Sequence, residues 1–223
     1  MGKKAKTKYK MVLGGKNKMR RVVVIALMAM VLPIAASATG IDIVNRFGSI
    51  SISAAGISSH GSQLNSFNGI TAGKGHSLGS VSFATGVCLS GCNASGIPGN
   101  SAMFSSVGSS FIVTGCCSPL VPHGVIFSGS FVGPIMWTLT SPPGAKNLTF
   151  TITGTVRGML FDGRMITGTT TQNIFTVAGQ LAVGVGHIRV GNTFLAPEPG
   201  TLGLLGTGLI GIAGVFRRKF LAT

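Results

Sequence analysis

One stretch constrains the fold of this chain more than any other. From Leu148 to Leu160 the apolar or small residues Leu148, Phe150, Ile152, Gly154, Val156, Gly158 and Leu160 alternate with Thr149, Thr151, Thr153, Thr155 and Arg157. A period of two sustained over that length fits a strand with one face in a core and a threonine row on the other, and fits no helix. Asp162-Gly163 follows at once, the dipeptide that favours a two-residue type I′ turn, so Met165 to Val177 is expected to return as the partner strand. Weaker alternations occur at 41–44, 49–54, 81–87, 111–114, 125–132, 135–140 and 187–194, separated by Gly, Ser, Asn and Pro clusters. With no helical pattern between them, such strands imply an all-β, antiparallel domain of sandwich or jelly-roll type. The Gly-rich stretch 86–99 carries no pattern of its own and is expected to be a partly disordered loop.

The two ends have a different chemistry. Nine cations lie among the first 21 residues, before an uncharged apolar run from Val22 to Ala35. Ala36-Ser37-Ala38 then supplies the small residues, Ala36 and Ala38, that signal peptidase requires, so residues 1–38 read as a signal-peptide helix removed after Ala38. At the other end, Pro197-Glu198-Pro199-Gly200 precedes an apolar run from Thr201 to Phe216 and the cluster Arg217-Arg218-Lys219. Two prolines hold the tetrapeptide extended, with one carboxylate between two stiff rings. As a helix the run of 16 residues would span ~24 Å, a little under the ~30 Å hydrocarbon core, a gap that snorkelling cations can close. The basic cluster acts as a stop-transfer signal that stays cytoplasmic. Gly203, Thr207 and Gly211 recur every four positions, a spacing that allows close helix approach in lipid. Residues 39–196 are then the exported β-rich domain, and 197–223 the C-terminal signal with its transmembrane helix at 201–216.

Charge follows the same division. Of the formal +15, the first 38 residues carry +9 and the C-terminal cluster +3; the six other cations are thinly spread and face all three carboxylates. Nucleic acid as a partner is excluded, because a binder needs its cations clustered on the folded domain.

In its order of Pro197-Glu198-Pro199-Gly200-Thr201-Leu202, Gly/Leu-rich helix and basic end, the tail resembles the PEP-CTERM sorting signal of exported bacterial proteins. The resemblance implies an exosortase-like processing enzyme that reads Glu198 and its prolines. It also implies anchoring in inner-membrane lipid before processing, a Gram-negative cell that makes exopolysaccharide, and delivery to the cell surface or beyond. It implies nothing about residues 39–196.

For that body the sequence favours a non-enzymatic envelope or extracellular-matrix protein. Gly75-His76-Ser77-Leu78-Gly79 matches the Gly-x-Ser-x-Gly elbow, and Asp162 and His187 follow in hydrolase order. Yet a strand rather than a helix is expected after Ser77, and too few residues precede it for the usual strands and oxyanion loop. With only Asp42 and Asp162 as carboxylates outside the sorting motif, paired acid–base chemistry and calcium binding lack material. No catalytic residue and no cofactor are assigned. Cys88, Cys92, Cys116 and Cys117 are candidate disulfides, and we expect Cys88 or Cys92 to bridge to the Cys116-Cys117 pair. A zinc site using His123 does not fit this spacing, and no metal is assigned. The alternative function is a carbohydrate-binding module that uses Trp137 and the threonine rows.

Overall fold

The computed structural model describes residues 40–142 and 145–197. The assigned signal peptide with its site at Ala36 and Ala38, the sorting residues Glu198, Pro199 and Gly200, the helix 201–216 and Arg217, Arg218 and Lys219 lie outside the described residues.

Thirteen strands and one helical turn make up the domain: β1 (Ile41–Arg46), β2 (Ser49–Ser53), β3 (Gly56–His60), β4 (Ser62–Phe67), β5 (Ile70–Thr71), β6 (Gly79–Ala84), β7 (Cys88–Cys92), β8 (Pro98–Phe104), β9 (Ser110–Gly115), β10 (Gly124–Leu139), β11 (Asn147–Leu160), β12 (Met165–Val177), α1 (Ala178–Leu181) and β13 (Val185–Pro197). Every pairing is antiparallel, as the sequence predicts. The predicted two-sheet sandwich is replaced by a sheet that closes on itself. The ring runs β1, β4, β6, β9, β10, β11, β12, β13 and returns to β1 through the register Ile41↔Leu195 to Arg46↔Val190. It is an eight-stranded barrel, a closure that removes the unpaired edges a sandwich leaves. β2 and β3 continue β1 and β4 past kinks at Phe47-Gly48 and Gly61, so that β2 still pairs with β13 and β3 with β6. Left-handed Phe47 (φ 61) and Gly48 (φ 91) mark the first kink. A Cβ on Gly48 would lie 2.6 Å from the Ser62 backbone nitrogen, so the close approach of the two bent strands needs glycine there.

β11 forms as its alternation predicts. Phe150, Ile152, Val156 and Leu160 are buried, and the threonines between them lie on the outer wall. β12 pairs with it from Asn147↔Val177 to Met159↔Met165. The turn differs from the expected two-residue type I′. Gly163 N donates to Leu160 O at 2.9 Å and Leu160 N to Arg164 O at 3.0 Å, with Gly163 at φ 81. This is a three-residue loop in which glycine alone takes the left-handed position. The separate strands expected at 125–132 and 135–140 are one strand, β10, with a register shift between Val132 and Met136 around Gly133-Pro134. Nor is 86–99 an unstructured loop, for it contains β7, which pairs with β8 along the outer half of β10.

The core has two chemistries. On the β6, β9 and β10 side, Phe83, Phe111, Phe127 and Phe131 pack with centroids 6.0–6.4 Å apart, three of the four contacts edge-on. Gly154 of β11 leaves room for Phe131, whose ring a Cβ would meet at 2.7 Å. On the β1, β4, β12 and β13 side a polar layer is set among buried Ile43, Leu64, Ile174 and Leu195. Asn45 Nδ2 donates to Ser62 Oγ (2.8 Å) and Gln172 Oε1 (2.9 Å), and Gln172 Nε2 donates to Asn45 Oδ1 (3.2 Å) and Thr170 Oγ1 (2.9 Å). Thr170 and Thr193 hydroxyls share a 2.7 Å hydrogen bond. Gly191 makes this possible, because a Cβ there would fall 1.9 Å from Gln172 Oε1. Among the described residues no buried side-chain polar atom lacks a partner, which is what makes a polar layer inside the barrel tolerable.

Candidate functional site

The site that bears on function is the barrel end where the chain enters and leaves. β1 starts and β13 finishes side by side, with Ile41 opposite Leu195, and Pro197 lies opposite Ile166 at the start of β12. Gly40 sits against the Phe194 ring, where a Cβ would be 2.1 Å from Cζ, so only glycine lets the chain enter here without displacing that ring. Loops 68–78, 116–123 and 161–164 close the same end, because β4, β9 and β11 run towards it and β6, β10 and β12 away from it. A cavity of about 230 Å³ opens there, lined by Gly40, Phe67, Pro122, Phe161, Arg164 and Ile166 among others.

The charged groups at this end are few. Asp162 accepts from the Arg164 backbone N–H (3.1 Å) and from Arg164 Nε (2.7 Å). The backbone hydrogen bond first, and the guanidinium with it, hold its carboxyl below the usual aspartate value. The pair is structural: it staples the β11–β12 turn.

Ser77 and Asp162 both lie in loops at this end, whereas His187 lies near the start of β13, in register with Ser49 and Phe175. Ten residues of strand separate His187 from Pro197, roughly 33 Å at ~3.3 Å per residue. The structure does not bring these three residues of the elbow motif together. His60 Nε2 has hydroxyl neighbours in Ser58 Oγ (3.2 Å) and Ser51 Oγ (3.4 Å) on the exposed face of the β2–β3 hairpin. No group of three or more His, Cys, Asp or Glu side chains converges among the described residues.

The expected bridge between the two cysteine pairs is corrected. Cys88 bonds to Cys92, and Cys116 to Cys117. The reason is topological. β7 lies at the far end, where Cys88 and Cys92 line a cleft with Ala54 of the β2–β3 turn, while Cys116 follows β9 at the end that carries both exits. Trp137 is likewise no surface platform. It is fully buried, stacks on Phe150 at 4.5 Å and donates Nε1–H to Gly99 O at 3.1 Å. The threonine rows do face outward, and Thr153, Thr155, Thr169 and Thr171 line a shallow depression with Pro134 and Met136. Among the described residues no helix is long and apolar enough to cross a membrane.

No curated protein and no solved structure matches the chain. The model of the PEP-CTERM protein-sorting motif matches residues 195–219. The match begins two residues before the tetrapeptide, at Leu195 and Ala196, which still pair with Gly168 and Thr167 in the barrel wall. Sequence reading misses these two because they carry the same alternation as the rest of the strand. The last barrel strand thus runs directly into the tail, and over residues 195–219 this chain carries a PEP-CTERM protein-sorting motif, the signal by which exported proteins are passed to an exosortase-type enzyme.

Proposed function

We propose that the barrel is a non-enzymatic cargo domain of the cell envelope or extracellular matrix. It is exported behind the signal peptide, held at the inner membrane by the 201–216 helix, and released or transferred when an exosortase-like enzyme acts near Glu198. The observation that carries this reading is the overlap of the sorting motif with the final barrel strand, which joins domain and signal without a linker domain. The separation of Ser77 and Asp162 from His187 supports the non-enzymatic part. Exopolysaccharide is the partner expected outside the cell, and the outward threonines of β11 and β12 are the hydroxyl-rich surface that would meet it.

Replacing Glu198 by Ala in a cell that has the processing enzyme tests the sorting role. The variant is expected to accumulate in the membrane fraction with residues 201–223 still attached, while the parent chain loses them. Equal processing of both chains would refute the role given to Glu198.

A further inference from the structure

Among the described residues, most of the long exposed apolar side chains lie at the end of the barrel that carries both chain exits. Leu120 is 70% exposed, Phe161 56%, Val125 53%, Met165 52% and Met159 51%. They come from the 116–123 loop, the β11–β12 turn and the strand ends beside them, and Met159 and Met165 are direct cross-strand partners. At the opposite end Leu89 is 56% exposed, and its exposed apolar neighbours are valines such as Val87, Val107 and Val183.

Chain length decides what these residues can reach. Four peptide steps lead from Pro197, in β13, to Thr201, where the apolar run begins. At ~3.6 Å per step they cover at most ~14 Å. A chain whose 201–216 segment is in the bilayer therefore holds Pro197, at the barrel end that carries this rim, within that distance of the point where the segment enters.

Resting on the reading of 201–216 as a membrane anchor, we infer that the rim formed by Leu120, Val125, Met159, Phe161 and Met165 is a lipid-docking surface that inserts into the bilayer interface beside the anchor. Large flexible and aromatic side chains suit that layer, as anchoring residues with an apolar body do generally. The charges nearby, Lys74 and Arg164 against Asp42 and Asp162, carry no net sign. Docking is therefore apolar in origin and needs no anionic lipid.

The test uses the full chain in neutral phosphatidylcholine vesicles brominated high on the acyl chains. Phe161→Trp and Leu120→Trp each add one exposed indole to Trp137, which is buried and serves as an internal reference. Both added indoles are expected to be quenched several-fold more than one placed at the far end by Val183→Trp. In the unsubstituted chain, peroxide oxidation of Met159 and Met165 is expected to slow in vesicles relative to detergent, with Met136, 40% exposed on the outer wall, unchanged. If the chain floats with vesicles but F161W and L120W are quenched no more than V183W, lipid docking is overturned and the anchor stands. If the chain does not float with vesicles, the anchor reading fails and docking fails with it.

Discussion

Replacing Asn45 by Leu should be among the most damaging single changes in the domain, although Leu branches at Cγ as Asn does, because the site is fully buried. Asn45 makes three hydrogen bonds to Ser62 and Gln172, at 2.8, 2.9 and 3.2 Å. Leu breaks all three and leaves Gln172 Oε1, one Gln172 N–H and the Ser62 hydroxyl without partners. At ~1–3 kcal/mol for each buried orphan, with some relief from rotation of Ser62, the loss comes to about 3–5 kcal/mol. That is a large part of the ~5–15 kcal/mol that holds a typical domain together. Gln172→Met should cost a similar amount for the same reason. The double replacement should cost about 2–3 kcal/mol less than the two singles summed, because neither amide is then left facing an apolar partner. Urea titration of the full chain in detergent measures this through Trp137, whose emission depends on its burial against Phe150. Thr153→Ala, on the outer wall, is the control and should stay within ~0.5 kcal/mol of the parent. An Asn45→Leu variant as stable as the control, or costs that simply add, would refute the claim that this network holds the β1–β4–β12–β13 half of the barrel.

Non-reducing peptide mapping should recover Cys88–Cys92 and Cys116–Cys117 and no peptide linking one pair to the other; a Cys88–Cys116 peptide would contradict the barrel topology. Because the Cys88–Cys92 loop is so short, loop-closure entropy predicts that replacing both by Ser costs only about 2 kcal/mol, measurable in the same urea titration. In the folded chain the Arg164 backbone N–H first, and its guanidinium with it, hold the Asp162 carboxyl below the usual aspartate value. Its stabilising contribution is therefore complete above the unfolded value and lost as pH falls through the folded one, so Asp162→Asn should lower the neutral plateau slightly, leave the strongly acid end unchanged and so flatten the acid limb between them. A steeper acid limb in the variant would reverse that sign.

How much of this was legible in the sequence depended on what fills the inward positions. β11 is plain because every second residue is apolar or glycine. β3 and β4 are not, because the barrel buries Ser59, Ser62 and Ser66 there, and hydroxyls that find partners inside a barrel look like loop residues in a linear reading. Ser59 Oγ, for example, accepts from the Phe83 backbone N–H at 2.7 Å. β7 has no fully buried residue, only half-buried Cys88 and Cys92 at its two ends, so periodicity has little to register. Closure was hidden for another reason: the β1–β13 pairing joins residues about 150 apart, and an antiparallel strand carries the same alternation in a barrel as in a sandwich. The cysteine spacing suggested a staple, but pairing is set by which barrel end each loop reaches. The sorting tetrapeptide was readable because its chemistry is local: two prolines, a carboxylate, an apolar run and a basic end in fixed order.

Intact-mass measurement of the chain recovered from the membrane and released fractions bears most directly on whether the barrel is cargo delivered by its two ends. The predicted result is an amino terminus at Thr39 in both fractions, with residues 201–223 present in the membrane form and absent from the released one. A native chain found free of lipid and running from Met1 to Thr223 would contradict it.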